Sequence, residues 1–273
     1  MQGASRHALA AVQGRLAGLS DGLPDAAGMT SVAEGLFAVV RLLDQGGTLR
    51  RTLADPTTPG AAKEGLLDAL LAGQLEPLPL TVLKDIVAQR WSRPRDLVDA
   101  VEVLAVQAIF LVAQAEGSLD DVEDELFRFA RILNREPALR LALTDKAVSQ
   151  EPKTALLAGL LGPRAKAATL RLVEALVANP RGRTLEDGLE DFAALAAELR
   201  QRLLAQVTSA VPLTEDQQTR LSAALAQSLG REVALQLEVD PSVLAGLVIR
   251  VGDEVIDAST LGRLNDARRR LAG

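Results

Sequence analysis

The chain has no cysteine and no tyrosine, and only one histidine and one tryptophan among its 273 residues. Without a thiol there is no disulfide framework, no thiolate metal site and no cysteine nucleophile. A single imidazole, His7, cannot build a His-rich metal centre or work with a second histidine. No phosphate loop of the GxxxxGK[ST] type and no GxSxG elbow occurs, so neither phosphate-cradling nor serine-hydrolase chemistry is expected. A basic excess is also missing: the formal net charge is −6 and the pI about 5.1, against the basic face that nucleic-acid binding demands. The start of the chain lacks an apolar h-region, so no secretory leader is expected. The most apolar stretch, residues 103–113, is broken by Gln107 and is about half as long as a membrane span. The expectation is a protein with no catalytic residue, metal or cofactor, which meets a membrane only through partners.

Alanine, leucine and valine supply most of the 48% apolar residues, and aromatics only 2%. Small and aliphatic side chains with few aromatics suit helix-on-helix packing, and the length allows two or three domains. Residues 32–71 laid over residues 122–161, a shift of 90 without gaps, give fourteen identities in forty positions. Eight are leucines, cheap in this composition. The other six are Val32/Val122, Phe37/Phe127, Arg41/Arg131, Arg50/Arg140, Asp55/Asp145 and Lys63/Lys153. Further on, a shift of 88 aligns Arg95/Arg183, Leu97/Leu185, Asp99/Asp187 and Glu102/Glu190.

Each copy reads as a helical bundle. In the second, residues 100–114 are apolar on most sides, the mark of a central buried helix. Helices follow over 119–134, 137–143, 152–161, 164–178 and 185–204 by periodicity and by proline starts. The first copy repeats them, with loops at 18–30, 45–48, 55–60 and 92–94. The acidic run Glu123-Asp124-Glu125 reads as a solvated face near a helix start. After residue 204 the pattern changes. Residues 206–211 alternate, with Val207, Ser209 and Val211 on one face. Thr214 with Gln217 forms a capping box, and a helix with a Leu221, Leu225, Leu229 stripe runs to Gly230. Residues 233–239 alternate again. The runs 247–251 and 254–258 flank Gly252-Asp253, the signal for a two-residue hairpin turn, and Ser259 caps a short basic helix. The fold expected is mostly α: two tandem six-helix bundles, residues 1–100 and 101–205, then a small α/β domain, residues 206–273, in the order β-α-β-β-α.

In the tail, Ala245-Gly246, Ile249, Gly252-Asp253, Ile256-Asp257, Ser259 and Gly262-Arg263-Leu264 resemble the C-terminal signature of the δ subunit of F-type ATP synthases, the bacterial counterpart of mitochondrial OSCP. Ala108-Ile109-Phe110, Gly117-Ser118-Leu119-Asp120 with Glu125-Leu126, Arg181-Gly182-Arg183 and the run from Val207 to Thr214 resemble further landmarks of that family, all in the second copy or after it. The first copy has only weak echoes, Ser5-Arg6-His7-Ala8 and Trp91-Ser92-Arg93. The resemblance is therefore to a long form with a duplicated N-terminal helical domain.

It implies a non-catalytic stator: a peripheral-stalk subunit, one per complex, that joins the catalytic head to the stalk and resists rotor torque at the cytoplasmic face of the bacterial plasma membrane. The implied partners are the N-terminal helices of α subunits and the C-terminal ends of b-type stalk subunits, with no nucleic acid and no homo-oligomer. Helix-in-groove docking would then use the groove between first and fifth helices. In the first copy this sets Leu9 and Val12 against Val82, Leu83 and Ile86. In the second it sets Ala105, Ala108, Ile109 and Val112 against Leu170, Val173, Leu176 and Val177. Bundle packing competes for each of these side chains and is the stronger role. Arg263 and Arg268 sit on the final helix, where a basic end complements the helix dipole or docks an acidic partner. Gly246, Gly252, Asp253, Asp257 and Ser259 read as hairpin, turn and cap residues rather than as acid–base chemistry. A helical-repeat adaptor unrelated to ATP synthesis is the alternative.

Overall fold

The computed structural model describes residues 1, 3–23, 25–202, 204–229, 234–240, 247–251 and 254–257. Among them are twelve helices: α1 (Gly3–Asp21), α2 (Ala26–Gln45), α3 (Gly47–Ala54), α4 (Gly60–Leu71), α5 (Pro77–Ala88), α6 (Pro94–Ala115), α7 (Leu119–Arg135), α8 (Pro137–Thr144), α9 (Gln150–Leu161), α10 (Ala167–Ala178), α11 (Leu185–Arg202) and α12 (Glu215–Leu229). Four strands accompany them: β1 (Leu204–Ser209), β2 (Ala234–Val239), β3 (Leu247–Val251) and β4 (Glu254–Asp257). The chain divides into two compact units, Met1–Ala196 and Ala197–Gly273.

The first unit is organised around α6. On α1 the buried residues Ser5, Ala8, Val12, Gln13, Leu16 and Ala17 form one stripe. On α11, Leu185, Leu189, Phe192, Ala196 and Leu199 do the same at alternating spacings of four and three. On α6, burial instead runs through nearly every position from Asp96 to Ala113, with only Asp99 and Val103 half-buried. The cause is that α6 packs against α1, α2, α3 and α5, and also against α7 and α10. α2 is long and apolar enough to cross a membrane by length and composition. Its apolar stripe, Val32, Leu36, Val39, Val40 and Leu43, is buried, and α6 is its main neighbour.

The 90-residue spacing is visible in the helices themselves. The bounds of α3, α4 and α5 (47–54, 60–71 and 77–88) recur as those of α8, α9 and α10 (137–144, 150–161 and 167–178). α6 closes the first series and opens the second. The expected cut at residues 100 and 101 therefore falls inside one continuous helix, and two separable bundles are not what the first unit contains. The expected shift of 88 also fails, because α6 and α11 start 91 residues apart, at Pro94 and Leu185. The expected loop over residues 18–30 is largely helix: Asp25 accepts a 3.0 Å bond from Ala27 N and caps α2.

The second unit is a four-stranded sheet in the order β2-β1-β3-β4. β1 is parallel to β2 and antiparallel to β3, and β3 is antiparallel to β4. The described order is β-α-β-β-β, one strand more before any final helix than the expected order, which counted the two arms of the hairpin as one strand. Val251 faces Glu254, leaving two residues between them, the loop length expected for residues 252–253. The core is Val207, Leu225 and Ile249 with Leu213, Leu221, Leu235 and Leu247 packed around it. β1 begins two residues earlier than expected and ends at Ser209, so Val211 lies beyond the strand and is 66% exposed. The capping box forms: Gln217 N donates to Thr214 Oγ1 at 3.3 Å and Thr214 N to Gln217 Oε1 at 2.9 Å. The basic helix expected after Ser259 lies outside the described residues.

Candidate partner-binding surfaces

The helices expected to frame the grooves are neighbours: α1 packs on α5, and α6 on α10. The side chains named for docking are core. Val12, Val82, Leu83, Ile86, Ala105, Ala108, Ile109, Val112, Val173, Leu176 and Val177 are all buried, and only Leu9 and Leu170 keep partial exposure. What solvent meets there is the rim of a closed seam. Gly246, Gly252, Asp253, Ser259, Arg263 and Arg268 lie outside the described residues. Asp257 ends β4 opposite Val248.

Polar residues fix two joints on the N-terminal half of α6, and they do so differently in the two halves of the unit. Ahead of α6, Ser5 Oγ on α1 donates to Asp96 Oδ2 at 2.7 Å and accepts from Ser92 N at 2.8 Å. Trp91 is buried beside them, with Nε1 donating to Ile86 O at 2.9 Å. Ahead of α11, the corresponding turn carries Arg181, Gly182 and Arg183. Arg181 has φ +55 and Gly182 φ +78, both left-handed, a region a non-glycine residue occupies at a cost. The Arg181 guanidinium is buried and donates to Glu102 Oε2 at 2.8 Å and to Asp99 Oδ1. Arg183 donates to the other Glu102 oxygen at 2.7 Å and to Asp191 at 3.0 Å. Its guanidinium lies 5.7 Å from the Phe192 ring centroid, within cation–π range. Burial acts to lower the Arg181 pKa, but the Glu102 and Asp99 carboxylates outweigh it and hold the pKa above its ordinary value. The motif around Arg181 was visible in sequence; its acidic partners on α6 were not.

The seams between second and fifth helices also differ at matched positions. Ser31 Oγ donates to Glu76 at 2.5 Å between α2 and the start of α5. Ninety residues on, Lys166 pairs with Asp121 at 3.0 Å, and that bond raises the lysine pKa. A Cβ on Gly35 would lie 2.6 Å from Pro79 Cβ, so the two helices touch there. At the matching pair, Glu125 reaches across instead, accepting from Lys166 N at 2.9 Å and from Thr169 Oγ1 at 2.6 Å. Glu125 thus caps α10 and is more than part of a solvated acidic face. The matched Asp55 and Asp145 both make Asx turns. Asp55 Oδ1 accepts from Thr57 N at 2.8 Å and Thr57 Oγ1 at 2.7 Å, and Asp145 Oδ1 accepts from Ala147 N at 2.9 Å. Lys63 and Lys153 are both buried, and Lys63 Nζ donates to Val87 O at 3.4 Å, near the end of α5.

No group of three or more histidine, cysteine, aspartate or glutamate side chains able to hold a metal ion occurs among the described residues. His7 lies on the exposed start of α1, its Nδ1 2.9 Å from Gly3 O. A shallow cavity of about 290 Å³ is lined by Asn134, Arg140, Thr144, Thr184, Leu185 and Glu186, with an Arg140–Glu186 ion pair of 3.3 Å.

The family model described as ATP synthase delta (OSCP) subunit matches residues 106–271. A Streptomyces coelicolor protein named ATP synthase subunit delta is 51% identical over 100% of this chain and 98% of its own length. One from Thermobifida fusca, of the same name, is 48% identical over 100% of both. A chain in the cryo-EM structure of the Toxoplasma gondii mitochondrial ATP synthase hexamer covers 62% of this chain and 95% of its own, at 22% identity and a TM-score of 0.34, a likeness too slight to argue from. The family match begins inside α6, so the helices ahead of it lie outside that model. The relatives nonetheless align with this chain over its full length.

Proposed function

This chain belongs to the ATP synthase delta (OSCP) subunit family and is a non-catalytic stator subunit of an F-type ATP synthase, and on that premise we propose how its parts divide the work. The helical unit holds N-terminal helices of α subunits, and the C-terminal α/β unit holds the C-terminal ends of b-type stalk subunits. The complex keeps the chain peripheral, on the cytoplasmic face of the plasma membrane. The helical unit comprises two six-helix modules that share α6, followed by the stalk-binding domain.

One observation carries this reading. α6 is buried along its length against helices from both halves. A stator linker must transmit force without yielding, and dense packing at crystal-like density resists deformation. A load applied to either half reaches the other through one rigid helix rather than through a flexible linker. The buried Arg181–Glu102 pair ties the second half to the same helix. The test uses the full chain with an α-subunit N-terminal peptide and a soluble fragment of the b-type stalk, by calorimetry. Binding of both is expected; binding of neither ends the stator division proposed here.

A further inference from the structure

We propose that the outer surface around α8, in the second half of the helical unit, docks an acidic amphipathic helix of a partner subunit; this rests on the stator reading and assigns the docking to one half. Three matched positions separate the halves. Phe37 is 9% exposed, while Phe127 is 53% exposed. Arg51 and Thr58 on the first half correspond to Leu141 and Val148 on the second, 67% and 37% exposed. A polar surface thus becomes apolar where repeat geometry places the same positions, and exposed apolar clusters mark interaction sites.

Charge names the occupant. Residues 126–148 carry five cationic side chains and two anionic ones, in a chain of net charge −6; Arg128 is paired with Asp124 and Arg140 with Glu186, which leaves three further cations on this surface. Arg131, Arg135 and Lys146 are exposed and form no ion pair among the described residues. Phe127, Arg131 and Asn134 follow one stripe of α7 at spacings of four and three. Asn134 lines the same cavity as Arg140 and Thr144 of α8, which carries the stripe onto the helix that bears Leu141. Apolar anchors with a basic rim fit a helix with one apolar face and acidic flanks.

Fluorescence anisotropy with the labelled N-terminal peptide of the α subunit from the same complex tests this on the full chain. Leu141→Arg with Val148→Thr, which installs the first half's residues, is expected to weaken binding about tenfold or more. The reverse exchange, Arg51→Leu with Thr58→Val, leaves binding unchanged. Raising salt from about 50 to about 300 mM weakens wild-type binding, because exposed charge pairs are screened. Circular dichroism melting checks that both variants fold. If wild type binds and the Leu141/Val148 variant binds equally well, the proposal is overturned while the stator reading stands. If the peptide does not bind wild type but the b fragment does, α docking fails, and this proposal with it. If the variant instead abolishes self-association in sedimentation, the occupant is a second copy and the proposal is likewise overturned.

Discussion

Across the seam between α2 and α5, Ser31 meets Glu76 and Gly35 meets Pro79; ninety residues on, between α7 and α10, Asp121 meets Lys166 and Glu125 meets Thr169. The backbone arrangement is held while the chemistry on it is exchanged. In each case both members of a pair have changed together. A glycine facing a proline closes a gap by approach, and a glutamate facing a threonine closes it by hydrogen bonds. Either solution works as a set, whereas a half-exchanged pair leaves a clash or an unsatisfied group, which is why residues in contact couple energetically. The joints at α6 teach the same thing on a larger scale, with a tryptophan and a serine at one joint and two arginines on a shared glutamate at the other.

The harshest break of this comparison is to remove one half. A chain of residues 94–273 keeps α6 whole but strips the helices that cover one side of it. Each large apolar side chain left in water costs about 1.5–3 kcal/mol, and a few of them rival the whole stability of a domain, about 5–15 kcal/mol. This chain is expected to retain helical circular dichroism, to bind a hydrophobic dye and to self-associate in sedimentation. A monomer with the unfolding midpoint of the full chain would mean the halves are independent and α6 is not shared in any energetic sense.

Next in size is the contrast between the joints. Glu102→Ala leaves Arg181 buried beside only Asp99, and breaking a buried pair from one side costs about 3–5 kcal/mol. Ser5→Ala in the first half removes a neutral hydroxyl from Asp96 and Ser92 N, a loss of about 1–3 kcal/mol. Urea unfolding of the two variants should separate them by about 2 kcal/mol, the difference between the centres of these ranges. Equal losses would show that the ionic joint is no stronger an anchor than the neutral one.

The repeat was legible in sequence because its polar matches mark turns and buried cations: Asp55 and Asp145 make the same Asx turn, and Lys63 and Lys153 are buried alike. The central helix was legible because α6 is apolar on most sides. Its double use was not, since a helix that serves two halves occurs once and offers nothing to align. The false shift of 88 arose from a slip of three residues, close to one helical turn of 3.6, which leaves a leucine pattern nearly in phase. The groove residues were chosen for apolarity, the property that buries them, so the same signal could not separate lining from core. The roles of Glu102 and Glu125 were not legible because their partners are 79 and 41 or more residues away in sequence. The tail that carries the family signature falls mostly outside the described residues.

Smaller effects sharpen the seam comparison. Gly35→Ala gains helix propensity, about 1 kcal/mol, but drives a methyl into Pro79. Overpacking costs about 1–3 kcal/mol, so a net loss or no gain is expected in thermal melts. Glu125→Ala frees Lys166 N and Thr169 Oγ1 and should cost about 1–2 kcal/mol, as for loss of a helix cap. The double exchange Gly35→Glu with Pro79→Thr then restores part of what Gly35→Glu alone loses. Without such a rescue, the two seams are not interchangeable solutions to one geometry.

The smallest effect lies in the turns. The Asp55 carboxylate is held below its ordinary value chiefly by the backbone N–H of Thr57, then by its hydroxyl. A carboxylate with a lowered folded pKa contributes stability that is present above the unfolded pKa and is lost as pH falls through the folded one. For Asp55 that window lies below the ordinary aspartate value of 3.8. At the matching turn Asp145 accepts from the Ala147 N–H. Thr57→Ala makes the first turn resemble the second: the carboxyl resonance of Asp55 should titrate at a higher pH by NMR, with the fold unchanged at neutral pH. If the Asp55 carboxyl does not move, the hydroxyl is a bystander, and the Asx turn, common to both halves, accounts for the shared spacing by its backbone bond alone.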